Sequence, residues 1–325
     1  MEIERVPAAG YPIKALPVAG FNRKNLLKNI SVLLKLRKSL GMAKRIIKDF
    51  QPDIAIGVGG YASGPTLKAA QKAGIPTLLQ EQNSYAGVTN KLLAAKAKSI
   101  CVAYEGMERF FPAEVIVATG NPVRKDLLES RITPEEARKE FGLKPDKPTV
   151  LVVGGSLGAL TINESMEKAV DPLLEKGIQV IWQTGKHFYK RLESGEVKLD
   201  THREGLVVVP FIPDMAKAYA AATLVVSRAG AGTISELELM GKACILVPSP
   251  NVAEDHQTKN ATALSSRGAA VLIPDAECRE KLRGAIEELI ADPEKLESMK
   301  KAILEMAMPD SDEKIADEVE RILSE

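Results

Sequence analysis

Residues 224–248 read LVVSRAGAGTISELELMGKACILVP, and this stretch decides the fold class. Leu224, Val225 and Val226 form an apolar run of the length of a buried strand. Gly230 and Gly232 then supply a turn, a helix follows, and the apolar residues 243–247 return to the sheet. Gly241 stands where a glycine closes a helix, so the whole is a βαβ unit. Glycines at such a turn let a phosphate approach the backbone, and the unpaired amides of the helix start favour an anion. Glu236 would repel a phosphate but can grip sugar hydroxyls, which points to a phosphorylated, hydroxyl-rich ligand. Thr233 is expected to cap the helix. Residues 233–236 fit a capping box equally well, with Glu236 folded back on its own helix. The stretch by itself leaves the two readings level.

Outward from it, apolar strands alternate with helical stretches along nearly the whole chain, which predicts an α/β fold with parallel sheets. Strands are expected at 54–58, 77–80, 99–103 and 115–118 in the first half. In the second they are expected at 149–153, 179–183, 206–209, 224–226, 243–247 and 270–273. A length of 325 residues suits two domains of ordinary size. The charged, proline-containing stretch 131–148, with a short helix at 134–141, reads as their joint. This gives domains at 1–130 and 149–308, and a final amphipathic helix within 309–325 able to pack back on the first domain.

Lys and Arg total 44 against 43 Asp and Glu, so no fold-wide basic field for nucleic acid exists. Cys101, Cys244 and Cys278 are scattered without CxxC spacing, which argues for a reducing compartment and against a zinc cluster or disulfide framework. No apolar run is long enough to span a bilayer, and no signal-peptide core opens the chain. A cytosolic protein, at most peripheral to a membrane, is expected.

Further loops carry candidate chemistry. Residues 57–65, GVGGYASGP, follow a strand and precede a helix, where open α/β sheets bind ligands. Gln80, Glu81, Gln82 and Asn83 end the next strand, either facing a cleft or serving loop hydrogen bonds. Residues 120–124, GNPVR, place a rigid turn and a cation at a strand end; Arg124 neutralises a phosphate or pairs with Asp126 or Glu129. Residues 154–159, GGSLGA, form another strand-to-helix loop, in which Ser156 can reach a phosphate oxygen. The following strand lacks the terminal acid that a dehydrogenase uses on ribose, so a nicotinamide enzyme is disfavoured. His187 and His202 sit in charged, solvated stretches. His256 opens a helix beside the 224–248 motif, either for helix-start polarity or as a site residue. Asp310-Ser311-Asp312 has the spacing of a metal-binding DxD, but it opens a helix, where acids and serine are expected anyway. The metal reading is rejected.

Residues 21–50 combine nine Lys and Arg with a nearly continuous apolar set. A core-facing helix with a solvated basic face explains the pattern; so does contact with an anionic membrane surface, and the leucine content favours the latter.

The motifs at 59–65, 81–83, 120–124, 154–159, 227–236 and 254–261 occur in one order, and together the chain from about Arg5 to its end closely resembles the MurG family of glycosyltransferases. The resemblance implies the GT-B fold, two Rossmann-like domains facing across a cleft. It implies inverting transfer of N-acetylglucosamine from UDP-N-acetylglucosamine to lipid I, forming lipid II. By that resemblance the donor site comprises Ser156, Ile212, Ala231, Gly232, Thr233, Ile234, Ser235, Glu236 and Gln257, with Glu236 on the ribose and Ile212 at the uracil. Asn83 and Arg124 belong to donor or cleft contacts. Gly60, Tyr61, Ser63, Asn163 and His256 serve the acceptor or cleft, and Glu81 is the candidate base. No metal or cofactor is implied, and residues 21–50 correspond to the patch that meets the cytoplasmic face of the plasma membrane. The family's opening loop, a glycine-rich turn bearing a histidine, has no counterpart here. The amino-terminal domain is therefore expected to lack its first βα unit, through truncation or because a second chain supplies it, and to expose sheet edge. Two other functions share the nucleotide-sugar reading: a UDP-N-acetylglucosamine epimerase, and a UDP-sugar-binding subunit inactive without a partner.

Overall fold

The computed structural model describes residues 2–20, 29–155 and 157–325, without the side chains of Glu2 and Ala253. The chain forms two compact units, residues 1–119 with 313–325, and residues 120–312. Each is built on a wholly parallel sheet, and all ten strands lie where the apolar alternation predicts them, with ends shifted by at most a residue.

In the first unit, β1 (Ala55–Gly57), β2 (Thr77–Glu81), β3 (Ser99–Val102) and β4 (Ile116–Ala118) stand in chain order. β2 and β3 are buried throughout, as strands covered on both faces must be. β1 is an edge strand on which Ile56 is 48% exposed. The helices Asn29–Phe50 and Gly60–Lys72 pack on each other. Residues 313–325 belong to this unit, and Ile322 is buried against Leu78 and Cys101.

In the second unit β5 (Thr149–Val153), β6 (Gln179–Gln183), β7 (Leu206–Val209), β8 (Leu224–Ser227), β9 (Cys244–Leu246) and β10 (Ala270–Leu272) take the order β10-β9-β8-β5-β6-β7. The chain starts in mid-sheet at β5, winds outward through β7, then crosses to the other side of β5. That reversal makes β5 and β8 neighbours, with Val153 opposite Ser227, so the glycine loops after both strands open side by side. Such a switch point, at the carboxyl strand ends, is where open α/β sheets take ligands. Behind it lies a close-packed core that includes Trp182, tilted on Phe188 at 5.6 Å between ring centres, with Met166, Leu173 and Ile286.

The 131–148 stretch is held to this second unit. Its helix Pro134–Glu140 opens with a full capping box between Thr133 and Glu136. Arg138 donates to the Ala221 carbonyl at 3.0 Å, the Pro145 carbonyl at 2.6 Å and Thr223 Oγ1 at 3.3 Å. Two of these bonds, to residues 221 and 223, fasten the segment to the second unit.

Candidate functional site

The carboxyl strand ends of the second unit surround a cavity of about 730 Å³. One wall is the loop after β5. There Gly158 holds φ +79°, and a side chain on it would strike the Thr184 carbonyl, so only glycine lets the two loops touch. The opposite wall is the β8 loop and the helix Ala231–Leu239, with Arg228, Gly230, Thr233 and Glu236 on the cavity.

This helix begins earlier than the threonine suggests. Its N-cap is Gly230, and no side chain caps it. Thr233 is therefore the third helical residue, not the cap, and the capping-box reading falls with it. The first bond within the helix is Ile234 N–H to the Gly230 carbonyl, 3.0 Å. The amides of Ala231, Gly232 and Thr233 precede it and point outward at the positive end of the helix dipole, an anion site made of backbone.

Glu236 faces the cavity one turn further on. Its Oε2 accepts the Tyr219 hydroxyl at 2.8 Å. Burial pushes its carboxyl above the usual carboxylate range, while the Tyr219 hydrogen bond and the nearby Arg124 oppose the shift. Tyr219 is itself 1% exposed, so the Glu236 carboxyl is held by a fixed donor. Arg124 also lines the cavity, and its Nε lies 3.7 Å from Asp126, the ion pair that one of the two readings expects.

Beneath the β8 loop Arg228 donates to the carbonyls of Val247 and Pro248, both at 3.1 Å, and to Asp275 Oδ1 at 2.5 Å. Asp275 Oδ2 accepts Thr161 Oγ1 at 3.0 Å. One ion pair thus ties together the loops that follow β8, β9 and β10 and the helix after β5. Ile212 donates its N–H to Gln183 Oε1 at 3.0 Å, and Gln257 Oε1 accepts the Ser249 N–H at 2.8 Å; all line the cavity.

Several expected site residues stand elsewhere. Ile234 and Ser235 are buried behind the helix, and Ser235 Oγ accepts Asn121 Nδ2 at 3.1 Å, fastening the 120–124 turn to the helix. A helix turns 100° per residue, so Thr233 and Glu236 share the cavity face and the two between them do not. Asn163, expected at the acceptor, is 2% exposed and joins Trp182 Nε1 at 3.0 Å to the Thr184 carbonyl at 2.8 Å, a core staple. His256 is half-buried and does not line the cavity. Ser156 lies outside the described residues.

In the first unit Glu81, the candidate base, is 3% exposed. Its Oε1 accepts Asn83 N–H at 3.1 Å and Asn83 Nδ2 at 3.3 Å, and its Oε2 accepts Gly87 N–H at 2.9 Å and Asn90 Nδ2 at 2.9 Å. Four donors engage its two oxygens, so this carboxylate is built into the loop 81–87. Asn83 is consumed in the same network. Gly60 has φ +76°, Tyr61 is 58% exposed, and Ser63 Oγ donates to the Gly59 carbonyl at 2.5 Å.

Tyr219 and Asp275 escape a motif reading. Asp275 follows a strand's carboxyl end, the signal that singled out Glu81. Tyr219 is the one hydroxyl in an alanine-rich helix, Met215–Ala221.

Two Rossmann-like units on wholly parallel sheets, one with an uncapped helix start and a cavity-facing acid at its switch point, have the architecture of the GT-B glycosyltransferases. Residues 149–315 match the glycosyltransferase family 28 C-terminal domain, and residues 1–102 match the N-terminal domain of the same family. The UDP-N-acetylglucosamine–N-acetylmuramyl-(pentapeptide) pyrophosphoryl-undecaprenol N-acetylglucosamine transferase of Phocaeicola vulgatus is 58% identical over 98% of this chain and 85% of its own. That of Bacteroides thetaiotaomicron is 56% identical over 98% and 86%. The crystal structure of Acinetobacter baumannii MurG superposes with a TM-score of 0.77 at 30% identity, covering 99% of this chain and 88% of that one. The chain belongs to glycosyltransferase family 28 and, within it, to the MurG enzymes.

Proposed function

We propose that this chain transfers N-acetylglucosamine from UDP-N-acetylglucosamine to N-acetylmuramyl-(pentapeptide) pyrophosphoryl-undecaprenol, with inversion, completing lipid II for peptidoglycan. The acceptor's sugar hydroxyl attacks the anomeric carbon from the face opposite the diphosphate. The new C–O bond forms as the bond to the diphosphate oxygen breaks, UDP leaves with that electron pair, and the hydroxyl proton passes to a base. The observation that carries this reading is the pairing of Glu236, held by Tyr219, with an uncapped helix start five residues before it. Glu236 takes the ribose diol, and the amides of residues 231–233 with Arg124 stabilise the charge developing on the leaving diphosphate. Ile212 flanks the uracil, and Gln257 completes the donor wall. These groups stabilise the diphosphate without a metal.

The engaged state of Glu81 argues against its acting as the base and for its positioning the loop 81–87. Membrane contact falls to the helix Asn29–Phe50. Its spacing puts Ile30, Leu33 and Leu34, which are 60%, 54% and 66% exposed, on one face with Arg37 and Lys38. An apolar end followed by cations suits the anionic cytoplasmic face of the plasma membrane. No described helix is long and apolar enough to cross a membrane. Transfer of labelled N-acetylglucosamine to the lipid acceptor, with and without EDTA, tests the assignment. Equal product in both arms is expected, and metal-dependent product would overturn the leaving-group assignment.

A further inference from the structure

Residues 120–124, GNPVR, bring Arg124 to the cavity of the second unit, and the residues before it leave the backbone little freedom. Gly120 holds φ +82°, and a side chain on it would strike Ser311 and Met308. Asn121 is 5% exposed and donates its Nδ2 to Ser235 Oγ at 3.1 Å, a bond between side chains 114 residues apart. Ser235 is itself buried in the helix Ala231–Leu239. Pro122 then fixes its own φ. Arg124 thus ends a turn fastened to the helix that carries Glu236, and its remaining freedom is mainly in its side-chain torsions.

Neither Asn121 nor Ser235 lines the cavity, so their bond serves groups they do not touch. The groups that bear on Glu236 are few: Tyr219 from the helix Met215–Ala221, and Arg124 and Asp126 from the turn and the residues after it. Arg228, on the same cavity, is held by Asp275. Arg124 pulls the Glu236 carboxyl down against the upward push of burial, and Asp126 works the other way. We propose that Asn121 is a positioning residue of the donor site, setting where Arg124 stands against Glu236 through its bond to Ser235. The consequence is electrostatic. The Arg124 side chain is 55% exposed, and a charge so wet is felt only at short range, so a turn that drifts loses its hold on the acid. Arg124 then serves the ribose, by keeping Glu236 an ionised acceptor, as well as the diphosphate. This rests on the donor reading above and deepens it.

The test is titration of the full chain with uridine, which carries no phosphate to titrate, between about pH 5 and about pH 8. An ionised carboxylate only accepts, and a protonated one gives up part of that capacity, so binding weakens as Glu236 takes up a proton. Arg124→Gln is expected to move that weakening to higher pH by about half a pH unit or more, which is about threefold in affinity on the acid side. Asn121→Ala and Ser235→Ala break the buried bond from either end and are expected to move it in the same direction. Asn121→Ala is expected to add nothing once Arg124→Gln is present. A pH dependence unmoved by Arg124→Gln, or unmoved by both bond-breaking variants, overturns the proposal. So does weakening by those two variants that is equal at every pH, the mark of a merely structural role, or a shift from Asn121→Ala that persists in full beside Arg124→Gln. Glu236→Ala separates the two readings. Uridine binding indifferent to it refutes the donor reading itself, whereas binding that needs Glu236 and keeps the parent's pH dependence in both bond-breaking variants refutes only the role of Asn121.

Discussion

The cavity of the second unit and the basic helix of the first are both made from polar side chains beside apolar ones, yet they are assembled in opposite ways. Around the cavity nearly every polar group is already engaged: Arg228 with Asp275 and two carbonyls, Gln183 with Ile212, Gln257 with Ser249, and Glu236 with Tyr219. Along the helix Asn29–Phe50 the cations stand in solvent, and Leu33 and Leu34 remain exposed beside them. A small rigid ligand rewards preorganisation, because groups fixed before it arrives lose no freedom when it binds. A fluid surface has no fixed shape to match, so charge and exposed hydrocarbon suffice there. The two regions should therefore respond differently to substitution, the first through stability and donor affinity together, the second through membrane partition alone.

The largest effect is expected at Asp275→Ala. The pair with Arg228 is less than a fifth exposed on either side, and removing one partner of a buried pair costs about 3 kcal/mol or more because the other charge is left uncompensated. Urea unfolding should show that loss with weakened UDP binding. Stability within about 0.5 kcal/mol of the parent, the range of surface substitutions, would mean the loops hold without this pair.

Next is Glu81→Gln. A glutamine amide nitrogen cannot accept from Gly87 N–H and Asn90 Nδ2, which leaves two buried donors unmatched at about 1–3 kcal/mol each. A lower melting temperature with an unchanged shape of the kcat/KM pH profile is expected. Disappearance of an acid limb with stability intact would instead restore Glu81 as the base. Tyr219→Phe comes third. It removes a hydrogen bond that pulls the Glu236 carboxyl down, so that carboxyl rises further. The donor KM should increase about fivefold, a loss of about 1 kcal/mol, most strongly at acid pH.

A further effect concerns pH. Burial pushes the Glu238 carboxyl from 4.5 up to about 8, so the folded chain keeps a proton that the unfolded chain releases, and stability falls as pH rises through that window. Burial pushes the Lys242 ammonium from 10.5 down to about 8; there the unfolded chain binds the extra proton, and stability rises with pH. Together they predict a stability minimum near pH 8. Glu238→Gln should flatten its acid side in chemical unfolding across pH.

Much of this was legible in the chain because buried parallel strands announce themselves as apolar runs and glycine marks each ligand-facing turn. The site was legible where a single motif builds it, as with Gly230, Thr233 and Glu236. It was illegible where function depends on which residue meets which across the sheet. Periodicity places Asn163 on a helix but does not say that its amide spans Trp182 and Thr184. Nor does any spacing join Arg228 to Asp275, 47 residues apart, because that contact exists only once β8, β9 and β10 lie side by side. Glu81 shows the same limit: a polar cluster after a strand reads as chemistry until its four donors are known.

The central claim is that Glu236, held by Tyr219 at the mouth of an uncapped helix, binds the ribose of the donor without a metal. Calorimetric titration of the full chain with UDP in EDTA, parent against Glu236→Ala, tests it most directly. The account predicts binding in EDTA that weakens about tenfold or more on substitution, as expected for hydrogen bonds to a charged group. Binding that requires a divalent cation, or that is indifferent to Glu236→Ala, would contradict it.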